Sequence, residues 1–257
     1  MYFDTHAHYD DEKFDFDRDE VIKRVYSEGV LNIVNIGADI ESSKRSVDLA
    51  NKYDFMYAAV GVHPEEVAEL PDNYIDILED LVNNNRQKIV AIGEIGLDYC
   101  CSDVPKEVQQ KFFIEQIDLA RKVKLPIVIH SRDAQKDTLD IIKSEDIGSI
   151  GGILHCFSGS QEMANEVLAN GLYIAIGGVV TFKNAKKIVE VIRNVPLDRL
   201  LVETDLPYLA PEPFRGKRNE SGNLKYIVEK IAEIKNVSPD EVARITTENA
   251  KRLYRIN

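Results

Sequence analysis

The chain has 257 residues, 44% of them hydrophobic, and carries 44 acidic side chains against 32 basic ones, for a formal net charge of −12. That length is close to the ~250 residues of a single (β/α)8 barrel; no apolar stretch reaches the ~18 residues of a membrane span. The negative balance argues against a broad non-specific nucleic-acid surface, although not against a nuclease that grips one strand end through metal ions and a few local basic groups.

Eight runs read as strands, near residues 2–8, 31–37, 56–62, 89–96, 126–130, 151–156, 172–178 and 200–205. Each is short, apolar and rich in branched residues, and a helical pattern follows each. In 105–123, Val108, Phe112, Phe113, Ile117, Ala120 and Val123 recur at a helical period and build one apolar face. Pro105 suits its first turn. Gly29 and Gly171 fall just past helices, where a left-handed residue is expected. A helix is expected over 223–236, and Ser238-Pro239-Asp240-Glu241 starts another with a cap, a proline and an acid three residues on. No linker, internal repeat or Gly-rich phosphate turn interrupts the pattern. One α/β domain over 1–257, a (β/α)8 TIM barrel, is therefore expected, with its site at the carboxyl ends of the strands.

The chain begins almost directly with a strand, which leads us to expect no secretory leader. Its three cysteines, two of them adjacent (Cys100 and Cys101), make no disulfide framework. A cytoplasmic location without membrane association is expected. Cys156 follows His155 on one strand, so its side chain should face away from the histidine.

Candidate chemistry gathers at the strand ends. His6 and His8 stand two apart in Asp4-Thr5-His6-Ala7-His8, so on a strand both imidazoles face one side and can reach one ion. Glu94 closes the fourth strand, and its two oxygens can bridge cations ~3.5–4 Å apart. Its flanking glycines would let the backbone approach whatever it holds. His130 and His155 close the fifth and sixth strands and fit a second ion. Asp205, on the eighth, fits the first. His63, in Gly61-Val62-His63-Pro64, can be a ligand, a proton carrier or a substrate contact. Asp4 and Glu203 each lie two residues before a ligand; they are expected one layer deeper in the barrel, either orienting imidazoles or forming a structural ion pair. Arg215, Lys217 and Arg218 overhang the catalytic face after the eighth strand, with Arg132 nearby, and suit an anionic substrate.

Taken in order, Asp4-Thr5-His6-Ala7-His8, Gly61-Val62-His63-Pro64, Gly93-Glu94-Ile95-Gly96-Leu97-Asp98-Tyr99, His130-Ser131-Arg132-Asp133-Ala134, His155-Cys156-Phe157-Ser158-Gly159, Glu203-Thr204-Asp205-Leu206-Pro207-Tyr208-Leu209 and Arg215-Gly216-Lys217-Arg218-Asn219-Glu220 resemble the TatD family of metal-dependent deoxyribonucleases in the amidohydrolase superfamily. The resemblance spans the whole chain. It implies a distorted TIM barrel and a two-metal hydrolase, with His6, His8, Glu94 and Asp205 on one ion and Glu94, His130 and His155 on the other. Two departures show: Ser221 stands where the family often has a proline, and Glu65 where it often has a second histidine.

The resulting expectation is a phosphodiesterase that releases nucleotides from a 3′ end of DNA, single-stranded ends included. It would use two divalent ions (Mg, Mn or Zn) to activate a water, with Glu94 and Asp205 at the catalytic centre and Asp205 taking the water's proton. His63, Arg132, Arg215, Lys217 and Arg218 would contact substrate. No obligate protein partner is expected. The same ligands would serve hydrolysis of an ester or amide such as a D-aminoacyl-tRNA. A non-catalytic accessory protein with a vestigial site is the remaining alternative.

Overall fold

The computed structural model describes residues 1–256, without the side chain of Glu69. Eight parallel strands form one sheet in chain order: β1 (Tyr2–Ala7), β2 (Val30–Ile36), β3 (Met56–Val60), β4 (Ile89–Asp98), β5 (Ile127–Arg132), β6 (Gly152–Leu154), β7 (Tyr173–Ile176) and β8 (Leu200–Val202). Helices alternate with them: α1 (Arg18–Ser27), α2 (Ile40–Lys52), α3 (Tyr74–Asn84), α4 (Lys106–Val123), α5 (Gln135–Ser144), α6 (Gln161–Ala169) and α7 (Lys186–Asn194), with α8 (Leu224–Lys235) and α9 (Pro239–Tyr254) after β8. The expected TIM barrel is present, and it is nearly closed, with one seam. Among the described residues no helix is long and apolar enough to cross a membrane.

The seam lies between β8 and β1. No continuous ladder joins them; a single bridge pairs Ala7 with Leu206. Beside it, Asp205 N–H donates to the His6 carbonyl at 2.9 Å and His8 N–H to the Leu206 carbonyl at 3.0 Å. Below, the Thr5 hydroxyl donates to the Val202 carbonyl. Asp4 accepts from the Thr204 amide at 3.0 Å, from the Thr204 hydroxyl at 2.6 Å and from Ser221 at 2.7 Å. This places Asp4 among groups that lead to α8, not in an inner layer beneath the imidazoles as expected. The β1–β2 register shifts between Asp4 and Ala7. An irregularity of that kind breaks the two-residue alternation on which the expectation rested.

Further shifts occur in the β3–β4 and β4–β5 pairings, but alternation holds over much of the remaining sheet. Val34, Ile36, Ala59, Val128, Ala175 and Leu201 point into the barrel, where Phe3 stacks on Tyr254 at 6.0 Å. Tyr254, Leu253 and Ala250 of α9 thereby plug the end of the barrel at which β1 begins. The neighbouring residues Ile33, Ala58, Ile127, Ile129 and Leu200 face the helices.

Helix ends follow the local chemistry. Ser238 accepts from the Glu241 amide, with Pro239 opening α9, and Asp39 and Ser42 form a reciprocal cap on α2. Gly29 and Gly171 take positive φ past α1 and α6, as expected. Pro105 is the residue before α4, one position earlier than expected. The glycines flanking Glu94 serve packing between strands: a Cβ on Gly96 would sit 2.0 Å from the His130 carbonyl oxygen, and one on Gly93 2.6 Å from the Val128 side chain.

Candidate metal centre

The five histidines of the chain converge on one carboxylate. Glu94, buried on β4, presents Oε2 to His6 Nε2 at 3.3 Å and His8 Nε2 at 3.8 Å. Its Oε1 lies 2.8 Å from His155 Nε2, 2.9 Å from His130 Nδ1 and 3.7 Å from His63 Nε2. Asp205 Oδ1 completes the first group, 3.8 Å from His6 Nε2 and 3.7 Å from His8 Nε2. Two sets of donors therefore face opposite oxygens of Glu94: His6, His8 and Asp205 on one side, His130, His155 and His63 on the other.

Several strands stop short of their expected ends, and among them β6 and β8 leave a site residue off the strand. β6 ends at Leu154 and β8 at Val202, so His155 and Asp205 stand on the turns just beyond. Asp205 takes φ 56° and Cys156 φ 43°. Such left-handed backbone is costly for non-glycine residues and is found where a side chain must be aimed. At Cys156 it ends the alternation, and this residue lines the same cavity as His155 and Asp205 rather than facing away.

Two imidazoles are oriented from behind by hydrogen bonds, those of His8 and His130. His8 Nδ1 meets the Ile36 carbonyl at 3.0 Å, so it carries the proton and leaves Nε2 free toward Glu94. His130 is turned the other way: Nε2 lies 3.1 Å from Asp98 Oδ2 and Nδ1 faces Glu94. Glu203 lies 3.7 Å from His155 Nδ1 and also accepts the Cys156 amide. Glu203 thus stands beside His155 without a hydrogen bond to it.

Asp98 was not among the expected site residues. It stands four residues after Glu94 on one strand, so both share a face, and that parity was the available signal. Burial raises its pKa, but the bond to His130 and the amides of Cys101 and Cys100 outweigh this and hold it at about 2. Burial alone would also raise Glu94, yet His155, His6 and His130 keep it well below the usual range. Burial lowers His6 and takes His63 to about 4, so both are neutral near pH 7. Burial opposes a proton on His155, but Glu94 and Glu203 raise it well above 6.5. Asp205 is raised, chiefly by burial.

These residues fit divalent cations. His6 Nδ1, His155 Nδ1 and Glu203 Oε2 are buried without hydrogen-bond partners, and the three residues can bring their donor atoms within 4.8 Å of one another. His6, His8 and Asp205 form a second such group, and His63, Glu94 and His130 a third. A cation of the zinc or manganese type takes neutral imidazoles, so it would bind in place of the proton that Glu94 and its neighbours favour on His155 and His130.

Two cavities meet at this cluster. One, of about 840 Å³, is a broad cleft walled by Asp10, Asp11, Glu12, Asp15, Asp39, Glu65 and Glu66, with Arg18, Arg45 and Arg132. The other, of about 240 Å³, is lined by Ile176, Val179, Val180, Ile188 and Leu209 beside Arg132. His63 and Arg132 thus stand at the site. Arg215, Lys217 and Arg218 line neither cavity. Arg218 donates to both oxygens of Asp17 at 2.7 and 2.6 Å and to the Lys13 carbonyl, over the Phe14 ring. Arg215 stacks over Phe182 and Lys217 lies near Phe214. Of the three, Arg218 is thus held by an acidic side chain of its own chain.

A nearly closed eight-stranded barrel with histidines and carboxylates at its strand ends defines a metal-dependent hydrolase. The profile of the family described as "TatD related DNase" matches residues 3–255, and the chain belongs to that family. It is 49% identical to the "uncharacterized metal-dependent hydrolase YabD" of Bacillus subtilis, over the full length of both chains. It is 38% identical to the "uncharacterized metal-dependent hydrolase YcfH" of Escherichia coli, covering 99% of this chain and 96% of that one. The crystal structure of the TatD homologue YjjV from Escherichia coli superposes with a TM-score of 0.94 at 32% identity, covering 100% of this chain and 98% of that one.

Proposed function

We propose that the protein hydrolyses phosphodiester bonds at DNA ends, in the cytoplasm, with two divalent cations sharing Glu94. The observation that carries this reading is the division of the five histidines between the two oxygens of Glu94. His6, His8, Glu94 and Asp205 would hold one cation, and Glu94, His130 and His155 the other. Nitrogen-rich ligation suits Mn or Zn, and Mg is the common alternative in nucleases. When bound, such ions polarise a phosphoryl group and make an adjacent water more acidic.

The remaining work belongs to the chain. Asp205, raised by burial toward working pH, accepts the proton of the attacking water. His63, neutral at the rim, donates or accepts a hydrogen bond at a substrate oxygen. Arg132 pairs with a phosphate at the junction of the two cavities, and the apolar cavity beside it receives a base. Arg215 and Lys217 remain outer phosphate contacts in this reading, whereas Arg218 supports the fold.

One observation favours a second reading. The broad cleft is lined mainly by carboxylates, which repel a polyanion and welcome a cationic group such as the ammonium of an aminoacyl ester. Chelator-stripped protein, restored with Mg, Mn or Zn and offered single-stranded DNA and a D-aminoacyl-tRNA side by side, decides between them. Metal-restored nucleotide release from DNA is expected. Ester cleavage without DNA cleavage would overturn the nuclease reading, and no metal-stimulated hydrolysis of either would leave an accessory role.

A further inference from the structure

Cys100 and Cys101 are exposed neighbours in the turn that follows β4. Both of their backbone N–H groups donate to Asp98 Oδ1, each at 2.9 Å. The other oxygen of the same carboxylate holds His130 Nε2 at 3.1 Å. The thiols are thus two bonded steps from an imidazole of the candidate metal centre. The adjacent Cys101 raises the Cys100 thiol and the Arg132 charge only partly offsets this; what the pair offers an oxidant is its exposure and the single peptide bond between the two residues. The third cysteine, Cys156, is a different case: burial and the Asp205, Glu203 and Glu94 charges push its thiol far up, which leaves it inert.

We propose that Cys100 and Cys101 are a site of reversible oxidation by a peroxide, and that closing their disulfide loosens the hold of Asp98 on His130. Consecutive Cα atoms lie about 3.8 Å apart, below the ~4.4–6.8 Å that disulfides usually span. The eight-atom ring closes only if the peptide between the two residues turns. That peptide carries the Cys101 N–H, one of the two donors to Asp98, so closure acts directly on this bond. Exposed, strained disulfides are also the readily reduced ones, which makes the change reversible.

The chemistry balances with hydrogen peroxide as oxidant. One thiolate sulfur attacks a peroxide oxygen, the O–O bond breaks, and a sulfenic acid and one water form. The neighbouring thiol displaces the sulfenic oxygen as a second water and the S–S bond closes. Two thiols and one peroxide become one disulfide and two waters.

The test reads thiols, mass and cation affinity on the full chain, so its outcome does not depend on which substrate is hydrolysed. Protein treated with peroxide and then unfolded for counting should show one titratable thiol instead of three and have lost two hydrogens of mass. Its affinity for Mn, titrated into chelator-stripped protein, should fall about 10–100-fold, as for other losses behind a metal-binding histidine. Dithiothreitol should restore both. The double variant Cys100→Ser, Cys101→Ser keeps both backbone donors; it should bind Mn like the parent and ignore peroxide. Three free thiols after treatment, or a disulfide with unchanged Mn affinity, would overturn the proposal. So would an equal loss of affinity in the double-serine variant.

Discussion

Asp98→Asn isolates the orientation of His130 from its presence. In the parent, Asp98 Oδ1 accepts two amides and Oδ2 faces His130 Nε2. With a cation in place, the carboxylate would keep the imidazole proton on Nε2 and leave the Nδ1 lone pair, on the side of Glu94, to the ion. An asparagine fits the same space, but the two amide donors fix its oxygen toward Cys100 and Cys101. Its NH2 must then face His130. That group donates to Nε2, drives the imidazole proton to Nδ1, and places it where a cation would bind. A hydrogen bond to a charged group contributes about 1.5–3 kcal/mol; at 1.36 kcal/mol per tenfold, its loss is worth about 10–150-fold. We expect a fall of that size in Mn affinity, read by titration into chelator-stripped protein, and at least as large a fall in kcat at subsaturating metal. Unfolding by urea should change little, because both turn amides keep their acceptor. A variant that binds Mn within threefold of the parent, roughly 0.6 kcal/mol, would refute the argument that Asp98 sets the tautomer of His130.

Two further outcomes follow from the same geometry. Glu94→Gln removes the charge that both donor groups share, so metal analysis should show losses from both positions, whereas His155→Ala should empty mainly one; two full-occupancy ions in the glutamine variant would end the bridging role. For Asp4, burial outweighs its hydrogen bonds and raises the carboxyl from 3.8 to about 7; its contribution to stability is therefore present below pH 3.8 and lost as pH rises to 7, a difference of roughly 4 kcal/mol. The stability of Asp4→Asn relative to the parent should accordingly improve across that window, and denaturation curves showing a constant difference at pH 4, 5.5 and 7.5 would contradict it.

The barrel and the clustering of its candidate ligands were legible in the sequence because both rest on short-range rules. Eight branched runs with amphipathic intervals imply a parallel barrel. Histidines two apart on a strand, or at strand ends, imply a shared face. The rule failed where the backbone departs from regularity. Cys156 and Asp205 take left-handed conformations, so alternation does not extend to Cys156, and the shift in β1 turns Asp4 away from the imidazoles. The pairing of Arg218 was not legible for another reason: its partner, Asp17, is distant in sequence, and no local pattern tells an unpaired arginine from a paired one. Asp98 is the opposite case, since its parity with Glu94 was visible all along.

The seam bears on the site as well as on the fold. β1 and β8 share no continuous ladder, yet His6 and His8 lie on one side of the gap and Asp205 on the other. On the side of α8, Asp4 closes the gap with bonds to Thr204 and Ser221. At the mouth, the Asp205 and His8 amides close it, while the His6, His8 and Asp205 side chains only approach one another. A cation held by those three would therefore join β1 to the turn after β8 and add to barrel closure, because binding to the folded state alone is stabilising. Its removal would leave the hydrogen bonds of Asp4 and the backbone in place. The seam is held by hydrogen bonds at its foot and at its mouth, and an ion bound by His6, His8 and Asp205 would add an exchangeable link at the mouth only.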